Sequence, residues 1–475
     1  LPRLNGMWAF ALWDARERKL LCARDRFGIK PLYYMATGGL LALSSEPKGL
    51  RPVRGLSPDL DIVRRYLACG GSTGGGPATC YENVSALPEG SVLRADAAGV
   101  RVERWYDLDE RVRGRPSPPD LAGAAEQLRG LLASSVRLRL RADVPAALLL
   151  SGGVDSSGIA GIVARTENGV RGAFSGVTIS TRYPGRPDID ETAYAGDARR
   201  ATGFRGEFVE PTIEGFDRDL DEFVCSVDAL VPRSVFYAGR LLYRRCRELN
   251  LPVALAGQGS DELFGGYEPW DVYARQLWGR GARLRALEEA WRSSVRQWGA
   301  WRGLRHTLGI VRTASATQPC GCRADGTLQG HQRHLLLADY LPTLLAFEDR
   351  NSMAWGVEAR LPFLDHRVVE FARSLPDDYL LRRGWTKVVL REALRGLVPE
   401  SVLARPTKMG LPGPVEGAKA AGSRLAGEAW KRLVRGGWID PRTVPRPRSD
   451  TGDSGFRVRV LDAWTRRCLG ADTRR

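Results

Sequence analysis

Two periods of hydrophobic patterning divide the 475-residue chain. Over residues 1–108 the apolar runs are short and broken by polar turns. MWAFALWD, KLLCARD, PLYYMAT and LLALSSE come first, and ENVSALPEGSVLRAD follows with a Pro88-Glu89-Gly90 turn. This pattern predicts a β-rich part. GGSTGGGPAT at 70–79 reads as a flexible loop, and RVRGRPSPPD, within 109–120, reads as a Pro- and Arg-rich linker. From residue 121 the spacing turns helical in LAGAAEQLRGLLASSVRLRL, and VPAALLL then predicts a buried strand. SGIAGIVARTEN, DETAYAGDARRATG and GRLLYRRCRELN read as helices. GAFSGVTIS, EFVEPT and LPVALAG read as three further strands. Strands alternating with helices over 121–275 imply an α/β fold with a parallel sheet covered on both faces. Residues 276–440 read as almost wholly helical, and the domain from 121 runs to 475.

Composition changes this picture little. The hydrophobic fraction is 43% and the charged fraction 27%, as expected of a globular chain of two or three domains. No apolar run reaches membrane-spanning length, so no membrane partner is expected. LPRLNGMWAF has no basic segment ahead of an apolar core, so it is not a signal peptide. It also lacks an initiator Met, and the expectation is that the chain starts inside a longer parent. The net charge of +16 raises the question of a polyanion partner. No block of like charge exceeds a few residues, however. In RLRALEEAWRSSVRQW cations alternate with acids and apolar residues, as on a solvated helix, and no nucleic-acid partner is expected. The 8 Cys are irregularly spaced, which argues against a disulfide framework and for reduced thiols in a cytoplasm. Cys320, Cys322, His331 and His334 could supply four zinc ligands, but C-x-C-x8-H-x2-H matches no common finger. A surface loop running into a helix is the expectation there.

The chemistry concentrates in two loops. In AALLLSGGVDSS, 146–157, an apolar strand stops at Ser-Gly-Gly and a helix begins. That places the turn at the carboxyl edge of the sheet, where ligands bind in doubly wound folds. Gly152 and Gly153 permit torsions that turn successive N–H groups into one concavity. Ser156 and Ser157 open the helix, whose N-terminus favours an anion. Together these form a phosphate cradle without the Walker lysine. Asp155 inside it would repel phosphate unless a cation bridges them, so Mg2+ is implied. The second loop, AGQGSDELFGGY at 256–267, also follows an apolar strand. Gly257 and Gly259 allow close backbone approach, and Asp261 offers a second carboxylate that could share the metal.

With these loops, the chain resembles the glutamine-hydrolysing asparagine synthetases. SGGVDSS resembles the pyrophosphatase-type loop of that superfamily, and GSDELFGGY its second nucleotide loop. RNSMAWGVEARLPFLDHR at 350–367, GWTKVVLREAL at 384–394 and RPTKMGLPGP at 405–414 follow in order. LNGMWAFALWD and ARDRFGIKPLYY resemble the second half of the family's N-terminal glutaminase domain. The resemblance implies an adenine nucleotide α-hydrolase-like synthetase domain behind part of an Ntn-type glutaminase. It implies that ATP is split between its α- and β-phosphates to give an acyl-adenylate, and that ammonia then displaces AMP. Ser151, Gly152, Gly153, Asp155, Ser156 and Ser157 match the pyrophosphate loop, and Asp155 and Asp261 the Mg2+-binding acids. Leu149, Gly176, Ala256 and Gly257 fall where the family grips adenosine. Lys408 matches a lysine that reaches the phosphates and the developing charge.

Three departures matter. Gln258 stands where asparagine-forming members carry Glu, and an amide cannot carry a proton as an acid can. Arg350 stands where several members carry Lys. Residue 1 is Leu, where the family's glutaminase nucleophile is an N-terminal Cys. The expected substrates are aspartate, ATP, and ammonia or glutamine, and a homodimer is the assembly left open. A relative acting on a peptide or specialised-metabolite carboxylate stays as the alternative. An ATP-dependent tRNA-modifying enzyme with the same loop is the more distant one.

Overall fold

A computed structural model describes residues 1–71, 77–166, 174–314, 325–406, 410, 412–414, 424–447 and 453–469. The first part carries two antiparallel sheets. β1 (Ala9–Asp14), β2 (Lys19–Arg24), β6 (Ser91–Asp96) and β7 (Gly99–Arg104) pair in the order β1-β2-β6-β7. β4 (Leu40–Ser44), β3 (Tyr33–Thr37) and β5 (Ser85–Ala86) form the smaller sheet, β4-β3-β5. Cys22 is wholly buried between the two, and burial pushes its thiol up to about 11. Leu12 and Trp13 of β1 and Val102 of β7 lie exposed on the outer sheet.

The Pro- and Arg-rich stretch is more structured than a bare tether. Asp107 caps a short helix, Leu108–Val112, by accepting from the Asp109 and Glu110 amides. Arg115 then pairs with the buried Glu370.

The second part is built on a five-stranded sheet in the order β10-β9-β8-β11-β12, with every pairing parallel. The strands are β8 (Ala146–Leu149), β9 (Phe174–Thr181), β10 (Arg205–Val209), β11 (Val253–Leu255) and β12 (Glu358–Arg360). Alternate residues face opposite sides. Ala146, Leu148, Val253 and Leu255 join the core under the helix Leu121–Arg139, while Ala147 and Ala254 pack with Tyr243 and Ile179 on the other face. β12 is a short strand inside the stretch 276–440, which was expected to be almost wholly helical. Its three residues, Glu-Ala-Arg, carry no apolar run, yet they pair with β11 from Val253↔Glu358 to Leu255↔Arg360. The chain passes from β8 outward to β9 and β10, then returns to the other side of β8 as β11. The order therefore reverses between β8 and β11, the switch point at which open α/β sheets bind ligands.

The two parts share a core. Tyr33, Met35 and Tyr66 of the first pack with Phe216, Phe223 and Trp464 of the second. Lys30 pairs with Asp349 at 2.9 Å across the seam.

Candidate active site

The cradle forms where β8 ends. Gly152 has φ +84, and a Cβ there would lie 2.6 Å from the Ala195 amide nitrogen, so the loop lies directly on the start of the helix Thr192–Thr202. Gly153 is extended (φ −74) and serves as N-cap of the helix Val154–Arg165. Only the first glycine therefore uses left-handed space. Ser156 Oγ accepts from the Ser151 amide at 3.2 Å and lies 3.1 Å from Ser151 Oγ, which closes the loop. Ser157 is buried, and its hydroxyl has no hydrogen-bond partner among the described residues. Buried Arg405 stacks over the Tyr194 ring at 4.5 Å and pairs with Glu191, bracing the helix start against which the cradle packs.

Asp155, in the first turn of the cradle helix, and Asp261, in the short helix Ser260–Phe264 after β11, converge on one point. Lys387 Nζ fills it, 2.6 Å from Asp155 Oδ2 and 2.6 Å from Asp261 Oδ1. Ser260 Oγ also donates to Asp155 at 2.7 Å. Gly266 makes room for this cluster, since a Cβ there would fall 1.7 Å from Asp261 Oδ1. The Lys387 backbone is itself in the left-handed region at φ 56, a conformation that costs a non-glycine residue about 1–3 kcal/mol. Two oxygen ligands around one cation-sized point suit Mg2+, which binds through one or two carboxylates plus substrate phosphates. Asp155 and Asp261 would hold it. No group of three or more ligating side chains occurs among the described residues.

Two cavities meet beside this cluster. One, of about 170 Å3, is lined by Leu149, Ser151, Asp155, Ser156, Ala256 and Gly257, so six of the residues expected at the nucleotide come together there. The other, of about 500 Å3, extends past Phe236, Tyr267 and Tyr340. Gln258, Asp261, Glu348, Gly239 and Gly410 line both. Glu348 comes from the helix Tyr340–Met353. Its carboxylate accepts from the Tyr243 hydroxyl and from Gln258 Nε2 at 3.4 Å. Burial raises its pKa, and the two hydrogen bonds oppose that rise.

Other expected residues lie elsewhere. Gly176 (φ +71) sits in the irregular start of β9, where the pairing with β8 jumps between Ala146↔Phe174 and Leu148↔Thr178. Ile179, Ser180 and Thr181, at the carboxyl end of the same strand, reach the smaller cavity instead. Arg350 is buried at the seam between the two parts. It donates to the Tyr33 hydroxyl at 2.6 Å and lines a separate cavity there with Asp228. Lys408, Cys320 and Cys322 fall outside the described residues, while His331 and His334 lie within the helix Leu328–Leu337.

The sequence pattern did not single out Lys387, which joins the two acids, or Glu348, which lines both cavities. A signal existed for the first: no Lys occurs between Lys48 and Lys387 in a chain that otherwise uses Arg. Glu348, preceding Asp349-Arg350 in a helix, gave none.

A cradle and two converging acids at the switch point of a parallel sheet define a nucleotide-binding α/β synthetase, here preceded by an antiparallel β part. The chain belongs to the asparagine synthase family, whose model matches residues 127–444. Residues 1–106 match a glutamine amidotransferase domain. A family member from Mycobacterium tuberculosis (strain ATCC 25618 / H37Rv) is 30% identical over 471 residues, covering 90% of this chain and 69% of that protein. Asparagine synthetase (glutamine-hydrolyzing) 3 of Bacillus subtilis (strain 168) is 26% identical over 430 residues, covering 85% and 67%. Asparagine synthetase (glutamine-hydrolyzing) of Gallus gallus is 26% identical over 415 residues, covering 85% and 62%.

Proposed function

We propose that this cleft activates the side-chain carboxylate of aspartate with ATP and converts it to the amide of asparagine. The chain is an ATP-dependent, amide-forming ligase of the asparagine synthetase type. The observation that carries the reading is the meeting of a phosphate cradle, two acids and a buried lysine with a second cavity, through a wall that both share.

The β- and γ-phosphates lie on the cradle, where the unpaired amides and dipole of the helix Val154–Arg165 face negative charge. The acceptor carboxylate enters from the larger cavity and attacks the α-phosphorus. The bond from α-phosphorus to the bridging oxygen breaks, and pyrophosphate leaves with the electron pair. Charge then builds at the cradle, where Lys387 stands ready to follow it. Mg2+, when held by Asp155 and Asp261, supplies charge neutralisation on the phosphates. Ammonia then attacks the acyl carbon and AMP departs.

Among the described residues no helix is long and apolar enough to cross a membrane. With Cys22, Cys69, Cys80, Cys225, Cys246 and Cys468 all free, a cytoplasmic setting suits this chemistry. The test is product analysis with ATP, Mg2+, aspartate and ammonium chloride. AMP, pyrophosphate and asparagine in equal amounts are expected. ADP and orthophosphate in their place would remove the adenylate reading.

A further inference from the structure

Forming an amide from ammonia releases a proton, and a group beside the cleft must take it. Gln258, the one side chain of the second nucleotide loop that lines both cavities beside Asp261, is an amide. Asp155 and Asp261 are both held by Lys387. Asp349 is held by Lys30. Glu348 differs from these three acids, because among the described residues no cation pairs with it. Its two oxygens are met by neutral donors, the Tyr243 hydroxyl and Gln258 Nε2, which orient the carboxylate without neutralising it. It is half-buried and stands in the wall where the nucleotide cavity opens into the larger one. Burial raises its affinity for a proton, as a base working near neutral pH requires.

We propose that Glu348 is the catalytic base of the ammonia step, supplying from the helix Tyr340–Met353 the carboxylate that Gln258 does not supply from the loop. The proposal rests on the ligase reading above. In the step, the ammonia lone pair forms the C–N bond to the acyl carbon and the carbonyl π pair moves onto oxygen. One N–H proton passes to the Glu348 carboxylate. The oxygen pair then re-forms the carbonyl, the bond from carbon to the phosphate oxygen breaks, and AMP leaves with that pair. The Glu348 proton is returned to solvent through the open cavity. Gln258 holds the carboxylate in place by its amide hydrogen bond.

The test separates the two half-reactions in the 475-residue chain, with ATP, Mg2+, aspartate and ammonium chloride. Aspartate-dependent ATP–pyrophosphate exchange reports adenylation, and asparagine formation reports the second step. In Glu348→Gln, asparagine formation is expected to fall at least about 100-fold while exchange changes less than about threefold. Combining it with Gln258→Glu, which puts a carboxylate on the neighbouring loop, should recover at least about tenfold. Asparagine formation within about threefold of the unmodified chain, or exchange lost together with it, would overturn the assignment. Should Glu348→Gln lose its fold by circular dichroism, Glu348→Asp carries the same test. A drop of about tenfold or more in asparagine alone supports the base, and a parallel loss of exchange overturns it. Absence of exchange in the unmodified chain would instead sink the ligase reading, and the base with it.

Discussion

The two ends of the cleft hold their acids in opposite ways. At the phosphate end, Asp155 and Asp261 share the ammonium of Lys387, all three nearly buried. At the acceptor end, Glu348 is held by a phenol and an amide. A charged cluster that is already paired exchanges one cation for another when a polyanion and its metal arrive, so it serves binding. A carboxylate held only by neutral donors keeps its proton affinity, so it serves proton transfer. Nearby groups of one chemical type are thus divided between two tasks by their neighbours alone.

The largest effect should come from the phosphate end. Asp155→Ala and Asp261→Ala are each expected to lower ATP–pyrophosphate exchange by about 100-fold to 1,000-fold, with the fold intact. Normal exchange in either variant would break the comparison, because that end would then not be a metal and phosphate site. Lys387→Met should come next. Removing the shared cation leaves two buried carboxylates facing each other, and urea unfolding without nucleotide should show a loss of about 3–5 kcal/mol. Added Mg2+ should return part of that loss. Stability unchanged by the substitution would mean that the cluster is not held by its charges.

Smaller effects sharpen the acceptor end. Gln258→Glu alone places a second carboxylate against Glu348, and two such groups resist ionising together. The acidic limb of the asparagine-forming rate should move to higher pH, whereas an unmoved limb would separate the two side chains functionally. The smallest effect concerns stability. The Glu348 pKa is raised in the folded chain, chiefly by burial, so its protonated form favours folding. That contribution is complete below the ordinary carboxylate value and is lost as pH rises through the folded value. Glu348→Gln stays neutral, so its stability relative to the unmodified chain should increase with pH over the same interval in thermal melts. A difference that is flat with pH would show that the carboxyl titrates alike in both states.

Legibility followed contiguity. The cradle is a strand, a turn and a helix within a dozen residues, and each piece carries its own local signal: AALL, Ser-Gly-Gly and the helical run from Val154. The other four strands of the sheet were readable for the same reason. β12 was not, because a three-residue Glu-Ala-Arg strand has no hydrophobic period and exists only through its pairing with β11. Gly176 shows the converse case. It belongs to a strand that does reach the cleft, but it sits in the irregular start of that strand, and only the carboxyl end arrives. Arg350 lies two positions from Glu348 in the same helix and points instead to the seam with Tyr33, because the helical turn separates their faces.

Local pattern along the chain points to a parallel sheet with a phosphate cradle and a second acidic loop at its edge, since short strand runs, glycine torsions and helix starts are local properties. Which charges those loops meet is a property of the folded packing. Lys387 reaches Asp155 across 232 positions, and Glu348 reaches Gln258 across 90. Nothing along the chain records those distances. The packing of the helices against the sheet sets them, and that packing made one acid the partner of a lysine and left another to a tyrosine and an amide.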